Sequence, residues 1–387
     1  MARKRPPLHV VIAPAAFKET LSARQAAAAI RAGLAGVWPA AKYTLLPVAD
    51  GGEGTVDALV RGTDGRRVTA VVTGPLGRSV RAAYGLLGDG RTAVIEMAAA
   101  SGLELVPPAR RNPLVTGTWG TGELIRDAVR RGARRILLGI GGSATVDGGT
   151  GLARALGVRL LDGRGRPLAG GGGDLERIRA IDASQLAITP GTVEFMIACD
   201  VTNPLLGPQG AARVYGPQKG ATPARVERLK RGMHNYIGVI ERTAGRSMRT
   251  MPGAGAAGGI ALPLVAWYGA RLVRGIDMVL EALDFRARLR EADLVVTGEG
   301  SLDGQSLFGK APVGVARAAR AAGVPVVVLT GILGAGAERT HAEGVTACFA
   351  SLPRPMPFDE VRAQAAANLR RAAGEAARAI RLGMGLA

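Results

Sequence analysis

Arg135-Ile-Leu-Leu-Gly-Ile-Gly-Gly-Ser-Ala-Thr-Val-Asp-Gly-Gly-Thr-Gly-Leu152 decides how this 387-residue chain is read. Arg135 to Ile140 is a short apolar run, as in a strand buried within a parallel sheet. Gly141 and Gly142 remove Cβ atoms where backbone N–H groups could turn toward an anion. Ser143 and Thr145 add hydroxyls, and Asp147 adds a carboxylate. Apolar spacing resumes at Leu152, Ala155 and Leu156, so the loop is expected to feed a helix N-terminus, which favours phosphate. Read alone, a plain glycine turn between strand and helix explains the stretch equally well. The recurrence of the same pattern along the chain shifts the balance.

Leu8 to Ala13 predicts a first strand, ending in Pro14-Ala-Ala-Phe-Lys18. A helix follows, with Ser22 and Gln25 at capping-box spacing. A second strand, Tyr43 to Val48, ends in Asp50-Gly-Gly-Glu-Gly-Thr55 and another helix. Two strand–loop–helix units in succession argue for a parallel α/β sheet, whose ligands bind beyond the C-terminal strand ends. Thr69 to Glu96 changes to short alternating strands with turns at Gly74-Pro-Leu-Gly77 and Gly88-Asp-Gly90. Val193 to Cys199 predicts a strand ending in Asp200-Val-Thr-Asn-Pro-Leu205, and Thr222-Pro223 opens a long helix. Ala292 to Thr297, Val324 to Leu329 and Val345 to Ala350 predict the last strands, and Phe358 to Leu382 a closing helix. The expected fold is therefore α/β with two α/β domains. Residues 1–68 plus 285–387 form a discontinuous parallel-sheet domain, and 69–284 an inserted domain carrying the glycine loop 139–151.

Composition narrows the function. Apolar residues make up 47% of the chain, enough for a sizeable core, and the formal net charge is +19. Such a charge alone could suggest a nucleic-acid binder, but the basic residues are dispersed and not interleaved with aromatics. Only six of the 50 basic residues are Lys, and Lys18, Lys219 and Lys310 all fall in glycine- or proline-marked turns. Cys199 and Cys348 lack a CxxC partner, so a reducing cytoplasm is the expected setting. Arg3, Lys4 and Arg5 precede too short an apolar run for a signal peptide. Met251 to Ala270 is uncharged but too rich in Gly and Pro for a membrane span.

Asp50, Glu53, Asp147, Asp200, Glu299 and Asp303 all lie in glycine-flanked loops or turns after predicted strands. Singly, each reads as a turn former or cap. Together they suggest metal ligands and a base beside phosphate-holding amides, the parts of phosphoryl transfer to an alcohol. His9, His234 and His341 occupy none of these loops, which argues against a histidine triad or zinc site. Gly304 to Ala311 nearly matches a P-loop, but Ala311 stands where its hydroxyl should be.

Ala13-Pro…Phe17-Lys18-Glu, Asp50-Gly-Gly-Glu-Gly-Thr55, Gly74-Pro-Leu-Gly77, Gly120-Thr-Gly-Glu-Leu124, Gly139-Ile-Gly-Gly-Ser-Ala-Thr145, Asp147-Gly-Gly149, Cys199-Asp-Val-Thr-Asn-Pro-Leu205, Gly216-Pro-Gln-Lys-Gly220 and Gly298-Glu-Gly together resemble the type I glycerate kinase family. The resemblance spans nearly the whole chain. It implies ATP-dependent phosphorylation of glycerate, usually D-glycerate at its 2-hydroxyl, with two α/β domains, one of them Rossmann-like, and an active-site cleft between them. Where the family usually has Asp-Ser, Asn and Arg, this chain has Ala15-Ala16, Val146 and Ser301. Those departures motivate an alternative: a kinase of the same fold acting on another small hydroxy acid.

The expected roles follow. Asp200 is the first choice for base and Asp147 the second, with Lys18 also catalytic. Gly141, Gly142, Ser143 and Lys310 hold phosphate or nucleotide. Asp50, Glu53, Asn203 and Lys219 face substrate, and Glu299 and Asp303 hold Mg2+. Asp200 follows the apolar strand Phe195 to Cys199, so it is expected to be rigidly held and partly desolvated. Glycerate and ATP are the expected partners, without nucleic acid or membrane; a homodimer is an open expectation.

Overall fold

The computed structural model describes residues 7–307 and 309–386. The basic Arg3–Arg5 and Phe308 lie outside the described residues. The chain divides into two compact units, residues 1–50 with 276–387, and residues 51–275. The first begins with β1 (His9–Ile12), α1 (Ala23–Ala35) and β2 (Lys42–Leu45). Ser22 caps α1 through the reciprocal pair with Gln25 that the spacing predicts. The second unit holds α2 (Thr55–Gly62), β3 (Arg66–Thr73), β4 (Ser79–Leu86), β5 (Thr92–Glu96), α3 (Ala98–Ser101), α4 (Trp119–Arg130), β6 (Arg135–Gly139) and α5 (Thr150–Ala155). It continues with β7 (Arg159–Leu161), β8 (Ala180–Asp182), β9 (Glu194–Ala198), α6 (Ala211–Tyr215), α7 (Pro223–Ala244), α8 (Ala261–Tyr268) and β10 (Arg271–Val273). The chain returns to the first unit through α9 (Gly275–Ala282). There it forms α10 (Phe285–Arg288), β11 (Leu294–Leu302), α11 (Ala311–Ala321), β12 (Val326–Leu333), β13 (Ala347–Ala350) and α12 (Phe358–Leu386).

In the first unit five strands pair in the order β13-β12-β11-β1-β2, all parallel. From β1 the chain steps one way to β2, while β11, β12 and β13 build the other way. The reversal between β1 and β11 is where doubly wound sheets bind ligands, beyond the strand C-termini. Val10, Ile12, Val296 and Leu329 meet Ile30, Leu34 and Leu369 in a core shared by the sheet, α1 and α12. The two helices approach closely at Gly33, where a Cβ would lie 2.1 Å from the Arg370 carbonyl oxygen.

The second unit has a six-stranded sheet, β10-β9-β6-β5-β4-β3. β10, β9, β6 and β5 run parallel, and β4 and β3 complete it antiparallel. β6, the strand of the quoted stretch, is central, and Ile136, Leu137 and Leu138 are fully buried. β7 and β8 form a separate antiparallel pair. The unit breaks fall at 50/51 and 275/276, not at 68/69 and 284/285. α2 packs on β4 and β5, which draws it into the second unit, whereas Ile276 packs against Gly314 of α11 in the first. The glycine loop does not open directly into a helix: α5 starts only at Thr150. No helix among the described residues is long and apolar enough to cross a membrane.

Candidate active site

In the second unit, the C-terminal ends of β5, β6 and β9 carry Glu96, the Gly141–Thr145 loop and Asp200 side by side, as the strand pairing requires. The Gly51–Gly54 segment lies against the same edge. A Cβ on Gly139 would sit 2.5 Å from the Gly51 carbonyl oxygen, and one on Gly51 2.5 Å from Ala198 Cβ. Glycine is required at both positions, the second because φ there is also +87°. Gly141 approaches Gly52 across this contact. Exposed Glu53 stands on the same segment.

The loop is tied from behind. Leu103 N donates to the Gly142 carbonyl (2.8 Å), and Ala144 N donates to Ser101 O (2.9 Å). Thr116 Oγ1 donates to Ala144 O (2.8 Å). A trans peptide sends its C=O and the following N–H in opposite directions. Fixing the Gly142 carbonyl inward therefore turns the Ser143 amide outward. Gly141 and Gly142 are exposed, Gly142 has φ of +69°, and the amides of Gly141, Gly142 and Ser143 have no acceptor among the described residues. Successive free amides around a left-handed residue make an anion-binding nest.

Three residues expected to meet ligand are held by bonds inside the protein. Asp147 is fully buried (0% exposed). Its Oδ2 accepts from Thr118 N (3.0 Å), Thr118 Oγ1 (2.8 Å) and Gly151 N (3.2 Å), and its Oδ1 accepts from Gly149 N (3.1 Å). Burial pushes this carboxyl above its ordinary range, while those donors pull it back. An acid so enclosed braces the start of α5 against the Thr118 turn. Lys219 is 2% exposed. Its Nζ donates to Ser143 Oγ and to Thr145 O, both at 2.7 Å. Asn203 donates from Nδ2 to Gln209 O (2.9 Å) and accepts from the Tyr215 hydroxyl (2.8 Å), so its amide fixes the 203–210 turn.

Asp200 departs from expectation in another way. It stands exposed at the end of β9, not desolvated, and its Oδ1 accepts from Gly275 N (3.0 Å) at the start of α9. Glu96 was not singled out by the sequence reading. It is half-buried, accepts from Val56 N (2.9 Å) at the start of α2, and is held above the usual carboxyl range by burial and by nearby Asp57 and Glu53. The sign that could have found it is its position at a strand end before Met97-Ala-Ala-Ala-Ser101, directly beside β6. Thr118, which holds Asp147, was likewise visible only as part of a threonine–glycine loop.

In the first unit, the reversal point between β1 and β11 gathers a second set. Thr297 Oγ1 donates to Ala13 O (2.7 Å), and Ala15 N donates to Gly298 O (2.8 Å), locking the ends of the two strands. Phe17 and Leu21 pair across a tight turn, Phe17 N donating to Leu21 O (2.8 Å). Glu19 sits in that turn at φ +62°, a conformation costly for a residue with a side chain. The turn leaves Lys18 exposed, its backbone N beside Gly300. From the extended end of β11, Glu299 Oε1 lies 3.6 Å from Lys310 Nζ, as does Asp303 Oδ1. Lys310 also donates to Ser301 O (3.3 Å), and Ser306 Oγ donates to Glu299 (3.1 Å). Burial pushes Glu299 up to about 7, against the pull of Lys310 and Ser306. Burial would also raise Asp303, but Lys310 and the amides of Gln305 and Ser306 outweigh it and hold that carboxyl below its ordinary value. Asp50, exposed, ends this unit's first segment. The structure thus brings together Lys18, Glu299, Asp303 and Lys310 around one strand end. It separately brings together Glu53, Gly141, Gly142, Ser143 and Asp200 around another.

Free amides, lysines and carboxylates at the C-terminal edges of parallel sheets define an α/β enzyme built for anionic ligands. A model of the glycerate kinase family matches residues 10–381, so the chain belongs to that family of enzymes. A glycerate kinase of Bacillus subtilis (strain 168) is 49% identical over 97% of this chain and 98% of its own. A glycerate 2-kinase of Escherichia coli (strain K12) is 46% identical over 97% and 99%. A crystal structure from Salmonella typhimurium LT2, described as a candidate glycerate kinase 2, covers 98% of this chain and 100% of its own. It superposes with a TM-score of 0.90 at 47% identity.

Proposed function

We propose that this enzyme transfers the γ-phosphoryl group of ATP to the 2-hydroxyl of D-glycerate, giving 2-phosphoglycerate and ADP. Relatives named glycerate kinase and glycerate 2-kinase, similar over almost their full lengths, support the reaction class and the position of attack. The observation that carries the reading is the outward-facing amide nest at Gly141–Ser143, which suits an anionic oxygen of phosphate. The substrate hydroxyl oxygen attacks phosphorus, the bond from phosphorus to the leaving ADP oxygen breaks, and a base takes the hydroxyl proton. Asp200 is that base in this reading: it is exposed, it follows β9 directly, and its carboxylate is oriented by the Gly275 amide on Oδ1. Lys18 and Lys310 neutralise phosphate or substrate carboxylate, and Asp50 and Glu53 face the substrate.

Mg2+ is assigned to Glu299 and Asp303. Among the described residues no group of three or more His, Cys, Asp or Glu side chains could hold a metal. Mg2+, however, is commonly held by one or two carboxylates plus substrate phosphates, and the donors around Lys310 are all oxygens. The residues fit that role, and the ion would supply charge neutralisation on the phosphates. The reaction is assigned to the cytoplasm, consistent with the two free cysteines.

The test is ADP release by purified, folded protein with ATP, Mg2+ and a panel of small hydroxy acids. D-glycerate should lead in kcat/KM. Another acid leading clearly would move the substrate to the alternative that Ala15, Ala16 and Ser301 motivate, and no turnover with any acid would sink the class.

A further inference from the structure

The buried ammonium of Lys219 is oriented toward the glycine loop, not toward solvent. Its turn, Gly216-Pro-Gln-Lys-Gly220, is rigid at both ends. Gly220 has φ of +87°, and a Cβ there would lie 2.2 Å from the Arg111 carbonyl oxygen. A Cβ on Gly216 would lie 2.3 Å from Ala212 O. The Tyr215 ring covers the ammonium at 5.9 Å. Protonated, as it is below about pH 7, Lys219 has donors only, so in the 2.7 Å contact Ser143 Oγ must accept. That leaves the Ser143 hydroxyl hydrogen to point elsewhere. The inward carbonyls of the loop already accept, Gly142 O from Leu103 N, Ala144 O from Thr116 Oγ1 and Thr145 O from Lys219, and the Ser143 hydroxyl donates to no acceptor among the described residues.

We propose that Lys219 is a positioning residue: by donating to Ser143 Oγ and Thr145 O it turns the Ser143 hydroxyl into a fourth outward donor beside the Gly141–Ser143 amides, and so sets the affinity of the nest for a phosphate group. Resting on the phosphate reading of that loop, this replaces direct ligand contact by Lys219 with an action through Ser143. A hydroxyl that accepts from Lys219 keeps its own proton for an acceptor outside the loop, and pre-aimed donors bind an anion without reorganising.

The experiment is a double-mutant cycle with Lys219→Met and Ser143→Ala. ADP binding is read by calorimetry, KM for ATP and kcat by steady-state assay, and folding by thermal melting. Each single variant should weaken ADP binding about 10-fold and raise KM for ATP in parallel, at ~1.4 kcal/mol per tenfold. The double variant should be no worse than the weaker single, because both act on one hydroxyl. Multiplying losses, or ADP bound as tightly by folded Lys219→Met as by the parent, overturn the inference. If Ser143→Ala weakens ADP binding while Lys219→Met does not, only the inference falls; if neither does, the phosphate reading falls with it. Should Lys219→Met fail to fold, Lys219→Gln replaces it. Its shorter stem cannot reach both acceptors, so parent-like ADP binding by that folded variant overturns the inference too.

Discussion

Asp147→Asn separates a brace from a base. In the folded protein four donors converge on the two oxygens of Asp147, three on Oδ2 and one on Oδ1. Asn retains one oxygen, which can keep the three bonds made by Thr118 and Gly151. Its amide nitrogen then faces Gly149 N, donor against donor, inside a site from which water is excluded. One buried unsatisfied donor costs about 1–3 kcal/mol, and losing the charge weakens the remaining three bonds. The expected destabilisation is about 2–4 kcal/mol, a large fraction of a typical domain's roughly 5–15 kcal/mol. At ~2–4 °C per kcal/mol, the melting transition of residues 51–275 should fall by roughly 5–15 °C. The assay pairs thermal unfolding with kcat measured well below the transition, where the folded fraction should keep most of its rate. A variant that melts like the parent but loses about 100-fold or more in kcat would refute this and restore Asp147 as a base.

Asp200→Asn should lower kcat by about 10²–10⁴-fold with little change in melting, since Asn can still accept from Gly275 N but cannot take a proton; a near-parental kcat in steady-state assay would reduce Asp200 to a cap. Lys219 is pushed by burial from its ordinary 10.5 down to about 7. Between those values the unfolded chain binds a proton that the folded chain does not, so stability should rise with pH from about 7 to 10.5. Urea melts across that range should show the rise in the parent and a flatter profile in Lys219→Met. Gly298→Ala would place a Cβ 1.9 Å from the Leu329 carbonyl oxygen, forcing β11 and β12 apart. It should cost about 1–3 kcal/mol or more by denaturant unfolding, and parental stability would contradict the close approach of these strands.

Much of the backbone was readable because its signals are local. The Ser22–Gln25 box, the Thr222 cap with Pro223, and the apolar run at β6 each specify their own element. What periodicity does not carry is which side of a loop faces water. Asp147, Lys219 and Asn203 stand in polar, glycine-marked turns like those of exposed residues, and residue type alone does not show the internal bonds they make. Their partners, Thr118, Ser143 and Gln209, come from other segments or from across a turn, and only the fold shows that these bonds consume them. Glu96 failed in the opposite sense, since a glutamate closing a strand looks ordinary until β6 and the Gly51 loop are set beside it. The unit boundary moved for the same reason: α2 reads as the end of the first α/β repeat, but its apolar face, Val56 and Val60, packs on Gly85 of β4.

In the proposed reaction phosphate moves from ATP to the 2-hydroxyl of glycerate. The most direct measurement is ³¹P and ¹H NMR of the product formed from ATP, Mg2+ and D-glycerate by the purified protein. A new phosphate ester whose phosphorus couples to the single proton on C2 should form one-for-one with ADP. An ester coupled to the C3 methylene protons would contradict the assigned position, and no ester from folded protein would contradict the reaction itself.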